Sequence, residues 1–101
     1  NFIALVHENC ISQREVTFYA NKLCISTKYL TGICKSVTRD SAKKIIDDFA
    51  ILEIKVLLQS TELTIQEIAD QLGFPDQSYL GRYFKRHEGM SPKEYQSKYS
   101  M

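Results

Sequence analysis

Residues 63–93 read LTIQEIADQLGFPDQSYLGRYFKRHEGMSPK. Thr64 suits an N-cap, and Glu67, three residues on, completes a capping box. Leu63 and Ile68 are spaced for a hydrophobic staple. Ile65, Ile68, Ala69 and Leu72 form one apolar stripe of helical period. Gly73 stops that helix, as a glycine at C′ does. Pro75 bars a helix from running straight on, so the next one is predicted to start at Asp76. In it Tyr79, Leu80, Tyr83 and Phe84 are expected to face inward. Ser78, Gly81, Arg82, Lys85 and Arg86 are left on or beside the outer face. Gly89 closes this second helix, and Ser91-Pro92-Lys93-Glu94 opens a third with an N-cap, a proline at N1 and a capping-box glutamate.

Two short helices around a tight glycine turn, the second with a polar and basic face, make the arrangement that enters a DNA major groove. The preceding sequence contains a diverged copy of it. Ala20 matches Ala69, Leu23 matches Leu72 and Ile25 matches Phe74 at an offset of 49. Beyond the turn the offset is 50, pairing Leu30 with Leu80, Ile33 with Tyr83, Cys34 with Phe84, Lys35 with Lys85, Ser41 with Ser91 and Ile45 with Tyr95. One additional residue in the later turn accounts for the change. Thr17 is the expected cap of the copy's first helix. Ser26 or Thr27 caps its second, which runs to about Thr38. Tyr29, Leu30, Ile33, Cys34 and Val37 are expected inside it, and Lys28, Thr31, Gly32 and Lys35 on or beside the other face.

A helix over residues 2–10 precedes the copy, with Phe2, Ile3, Leu5, Val6 and Cys10 as its apolar stripe. Ile11 to Glu15 is read as a connector. Between the copies Ser41 caps a central helix about 27 Å long, comparable with the roughly 34–36 Å of one DNA turn. Ile45, Phe49, Leu52, Val56 and Leu57 are its expected seam, broadened by Ile46, Ile54 and Leu58. Asp47 and Asp48 are read as a surface pair. Ser60 and Thr61 end the helix. The expected fold is therefore all-α. Seven helices form two helix-turn-helix subdomains, residues 1–40 and 61–101, joined by a long linking helix over 41–60.

The 101 residues are 44% hydrophobic, enough for one small folded domain and too many for a disordered chain. No apolar run is long enough to span a membrane. The net charge of +1 is uninformative, but its distribution is uneven. From Arg14 to Lys44, seven Lys and Arg face only Glu15 and Asp40, a local +5. Ile45 to Glu62 is acidic, with Asp47, Asp48, Glu53 and Glu62 against Lys55. An electropositive face of this kind suits phosphate contact. Cys10, Cys24 and Cys34 are an odd number without CxxC spacing and read as buried free thiols in a reducing compartment. No nucleophile–base pattern, P-loop, dinucleotide fingerprint or HExxH occurs, so neither catalysis nor a metal or other cofactor is expected.

Together these residues resemble the DNA-binding domain of the AraC/XylS family of bacterial transcription regulators. The resemblance rests on Leu63-Thr64-Ile65, Glu67-Ile68-Ala69, Leu72-Gly73-Phe74, Asp76-Gln77-Ser78-Tyr79-Leu80, Arg82, Phe84-Lys85, Gly89, Ser91-Pro92 and Tyr95. The first half carries the weaker copy in Tyr19-Ala20, Leu23, Ser26, Tyr29-Leu30, Lys35 and Ser41. It implies a cytoplasmic activator or repressor that places two recognition helices in successive major-groove segments of duplex DNA. It also implies a sensor or dimerisation domain N-terminal to this module, with RNA polymerase a candidate further partner. The family's base-contacting positions fall on Lys28, Thr31 and Gly32 in the first recognition helix and on Gln77, Ser78, Gly81 and Arg82 in the second. Gly32 and Gly81 bring no side chain to a base, so Lys28, Thr31, Gln77, Ser78 and Arg82 are the expected base readers. Lys35, Lys43, Lys44, Lys85 and Arg86 are the expected backbone contacts. Cys34 and Arg39 depart from the aromatic and the glycine seen at the matching Phe84 and Gly89. The alternative is a helical protein-interaction domain whose basic faces bind a partner protein or polymerase.

Overall fold

A computed structural model describes residues 2–10, 12–60 and 62–99, and the expectations on Ile11 and Thr61 lie outside them. The described residues form seven helices and no strand. These are α1 (Phe2–Asn9), α2 (Val16–Lys22), α3 (Thr27–Thr38), α4 (Ala42–Ser60), α5 (Ile65–Gln71), α6 (Gln77–Glu88) and α7 (Pro92–Tyr99). No helix among the described residues is long and apolar enough to cross a membrane. The chain separates into two compact units, Asn1–Ala50 and Ile51–Met101, with the division inside α4.

In the first unit α2 packs on α1 and α3. Its core holds Val6, Cys10, Tyr19, Ala20, Leu30, Cys34, Ile45, Ile46 and Ala50. Tyr19 is fully buried. Its hydroxyl donates to the Gln13 carbonyl at 2.6 Å, and its ring takes edge contacts from Phe2 and Phe18. Burial, reinforced by the neighbouring Cys10 and opposed by Arg14, pushes its pKa up to about 12. Thr17 is not the cap of α2. The helix begins one residue earlier, and Glu15 stands at the N-cap without a side-chain bond.

In the second unit α6 packs on both α5 and α7. Ile51, Ile54, Leu58, Ile68, Ala69, Phe74, Leu80, Tyr83, Phe84 and Tyr95 are buried. The Gln59 amide donates to the Tyr95 hydroxyl, and Lys55 pairs with Glu88 at 2.9 Å. Capping is as the sequence predicts. Glu67 N–H donates to Thr64 Oγ1 while Thr64 N–H donates to Glu67 Oε1. Ser91 and Glu94 repeat the exchange at α7. These bonds favour the charged carboxylates and hold the pKa values of Glu67 and Glu94 below their ordinary value.

The two copies share backbone details. Ile25 N–H reaches back to the Ala20 carbonyl at 3.0 Å, and Phe74 N–H to the Ala69 carbonyl at 2.9 Å. This six-residue closure is the Schellman ending, which requires a left-handed residue inside it. Gly73 fills that position at φ 78° in the second unit and Cys24 at φ 60° in the first. The second helix of each copy also ends left-handed, at Gly89 (φ 81°) and Arg39 (φ 69°). Pro75 is the extra residue in the second turn: Ile25 runs straight into the cap Ser26, whereas Pro75 intervenes between Phe74 and the cap Asp76.

Several expected core positions are exposed. Tyr29, Ile33 and Val37 lie open on α3, and Leu52 and Val56 on α4. Helical spacing alone placed them with their buried neighbours. The stripe that α4 buries is instead Ile46, Ala50, Ile54 and Leu58, flanked by Ile45 and Ile51. Asp47 therefore turns inward with 4% exposure, and it is not half of a surface pair. Lys43 lies 3.5 Å from it. Cys24 is exposed whereas Cys10 and Cys34 are buried, and none of the three is in a disulfide.

Candidate nucleic-acid interface

α6 is fixed from below by Leu80, Tyr83 and Phe84 and from its start by Asp76, whose Oδ1 accepts Tyr79 N–H at 2.7 Å. At about 100° per residue, the position midway between buried Leu80 and Phe84 points the opposite way. That position is Arg82. Gln77, Ser78, Lys85 and Arg86 are exposed on the same helix. Tyr79 was expected inside but is 39% exposed. Its ring lies 5.9 Å from Phe74 and 6.0 Å from the Arg82 guanidinium. Arg86 lies similarly, 6.0 Å from Tyr83. An aromatic ring under a guanidinium attracts it and limits its orientations. Tyr79, Arg82, Tyr83 and Arg86 thus line one open groove.

α3 is built the same way with different residues. Ser26 Oγ accepts Tyr29 N–H at 3.0 Å, and Leu30 and Cys34 are buried. Midway between them, outermost on the helix, is Gly32. Lys28 and Lys35 are exposed, and Thr31 is half-buried. Ser26, Lys28, Tyr29, Gly32, Ile33 and Ser36 line an open groove. The sequence reading did not include Tyr29, Ile33 or Ser36 in the site. The offset of 50 was a usable signal for Ser36, because it pairs that residue with Arg86.

The remaining two expected backbone contacts differ from the rest. Lys43 Nζ donates to the Arg14 carbonyl at 2.8 Å besides approaching Asp47. Lys44 Nζ donates to Asp48 at 2.8 Å. That hydrogen bond and the charges of Asp48 and Asp40 raise the Lys44 pKa. A phosphate has to compete with these partners for either lysine. Lys28, Lys35, Lys85 and Arg86 carry no such ion pair among those described.

A family model described as a helix-turn-helix domain matches residues 19–98. The Msm operon regulatory protein of Streptococcus mutans is 31% identical over 91 residues, which is 90% of this chain and 33% of that protein. The arabinose operon regulatory protein of Escherichia coli is 29% identical over 86 residues, 85% of this chain and 30% of that protein. This chain thus spans about a third of the length of these relatives. Among solved structures, the C-terminal domain of the two-component response regulator yesN from Fusobacterium nucleatum superposes with a TM-score of 0.82 at 29% identity. The match covers 94% of this chain and 93% of that one.

Proposed function

The chain belongs to the AraC/XylS-type helix-turn-helix family, and from that premise we propose that α3 and α6 are recognition helices for successive major-groove segments of one duplex. Sequence-specific DNA binding in transcription regulation is the activity of such a module. The observation that carries the two-helix reading is the outward face of α6. Apart from Tyr79, the large side chains exposed at its start and centre are polar or basic, and Arg82 stands outermost over Tyr79. Arg82 reads guanine through O6 and N7, the pairing that a planar guanidinium makes in two hydrogen bonds. Gln77 and Ser78, at the helix start, read neighbouring base edges. In α3 Lys28 and Thr31 face the bases.

Lys35, Lys85 and Arg86 contact phosphates, with Lys43 and Lys44 joining where phosphate displaces their own partners. Such contacts set register and grip but carry little sequence information. The first unit, with the local +5, contributes more grip and the second more reading. No residue has a catalytic role in this reading, and the setting is the bacterial cytoplasm. In the complete regulator a sensor or dimerisation domain would govern occupancy, and RNA polymerase would be the partner of the bound protein.

Titration of the 101-residue chain against a duplex selected from a random pool tests the reading. Affinity should fall steeply with salt, with a log–log slope of about −0.9 per phosphate neutralised. Random duplexes should bind far more weakly at physiological salt. Equal affinity for selected and random duplexes would sink the proposal.

A further inference from the structure

Resting on the DNA-binding reading above, we infer that α3 recognises the 5-methyl group of thymine through the notch at Gly32 and the exposed ring of Tyr29. The two recognition helices share a scaffold but differ at the outermost position. α6 offers Arg82 there, and α3 offers a glycine. A Cβ built at Gly32 meets nothing within 4 Å, so the notch is open on its outer side. Gly32 lies within a helix and has no positive φ, so the backbone conformation does not call for glycine. What glycine supplies at this position is close approach of the backbone to a ligand.

The walls of the notch specify the ligand. Tyr29 is 59% exposed and Ile33 40%, an apolar wall beside Gly32. Ser26, Lys28 and Ser36 complete the groove, and Lys35 is exposed on the same helix. The ammonium groups and the local +5 complement phosphate, which favours nucleic acid over an apolar protein surface as the occupant. On the major-groove edge of DNA the distinctive apolar feature is the thymine methyl. A methyl fits where a side chain is missing, while a protruding arginine would keep it out. α3 therefore discriminates by shape and apolar contact, and α6 by hydrogen bonding.

The test starts from a duplex selected with the wild-type chain. Positions whose preference changes in Lys28→Ala but not in Arg82→Ala define the segment read by α3. Each thymidine there is replaced by deoxyuridine, which removes only the methyl group. Binding should weaken about fourfold at one or two positions, the size expected for one buried methyl. In Gly32→Gln, which fills the notch, and separately in Tyr29→Ser, the deoxyuridine penalty should drop below twofold. Glutamine favours a helix more than glycine does, so Gly32→Gln should fold at least as well as the wild type. Wild-type affinities within twofold at every deoxyuridine position, in a duplex still bound selectively, overturn the methyl-reading inference alone. So does a penalty that persists in both variants. Failure to select any preferred sequence overturns the DNA-binding reading as well.

Discussion

Cys24 and Gly73, 49 residues apart, occupy the same left-handed turn position, at φ 60° and 78°, each inside a backbone closure of equal length. One copy of the unit thus makes its turn with a residue that tolerates the conformation and the other with one that strains in it. A Cβ in the left-handed region costs roughly 1–2 kcal/mol. Cys24→Gly should therefore raise unfolding stability by about 1 kcal/mol, and Gly73→Ala should lower it by about the same amount. Urea denaturation of both variants checks this. Cys24 is exposed, so little packing is lost to offset the gain. A less stable Cys24→Gly protein would show that the thiol makes a contribution the turn geometry does not account for.

Arg82 and Lys85 lie on one helix but should fail differently. Arg82→Ala should relax preference at one base pair, costing about 1–3 kcal/mol on the cognate base and much less on others. Lys85→Ala should weaken all sequences evenly and reduce the salt slope by about one. Lys44→Ala should do less than Lys85→Ala, because Lys44 already has Asp48 as partner. Sequence selection and salt titration of the three variants separate these outcomes. An unchanged base profile for Arg82→Ala would remove it from the base readers.

The capping carboxylates give the protein an acid limb. Glu67 and Glu94 have pKa values below their ordinary value because the N-cap backbone and side chains bond to the charged form. For a depressed carboxylate, the native state binds fewer protons than the unfolded chain. Its contribution is therefore present above the unfolded pKa and disappears as pH falls through the folded one. Glu67→Gln and Glu94→Gln keep a capping-box acceptor but not its charge, so they should lower stability modestly near neutrality and flatten its further fall below the usual carboxylate range. Thermal unfolding as a function of pH reads this directly, and an acid limb identical to the wild type would refute it.

Tyr19 gives an alkaline limb of the opposite origin. Its pKa, up to about 12, exceeds the ordinary 10.0. The native state holds the phenolic proton more tightly than the unfolded chain does. Stability from this group is complete below pH 10 and declines as pH rises to about 12. Tyr19→Phe should lack that decline. It should also lose about 1 kcal/mol at neutral pH, since the Gln13 carbonyl loses its buried donor. Unfolding measured at pH 7 and at rising pH tests both statements.

Much of the second unit was legible because its signals are local. Thr64 with Glu67, Asp76, Gly73 and Ser91 with Glu94 act on backbone groups within five residues of themselves, so their spacing specifies the geometry. The first unit was harder to read because its substitutions are tolerated by context. Cys24 and Arg39 take left-handed conformations where glycine is the usual choice, and α2 starts at an N-cap with no side-chain bond. Which of several apolar residues would be buried was not legible either. Tyr29 and Leu30 are adjacent and both apolar, yet only Leu30 reaches the core.

The sequence by itself determined the seven helices, their stops and the duplication, because hydrogen-bond capping and chain stereochemistry act over a few residues. It also determined which side chains could stand at the outer face of each recognition helix. Only the tertiary structure decided the rotation of each helix about its axis, through the packing of Leu30 and Cys34, of Leu80 and Phe84, and of Ile46, Ala50, Ile54 and Leu58. That rotation turned Asp47 inward and Tyr29 outward, and it set Gly32 and Arg82 in corresponding places. Burial depends on partners distant along the chain, and hydrophobic spacing on one helix does not contain them.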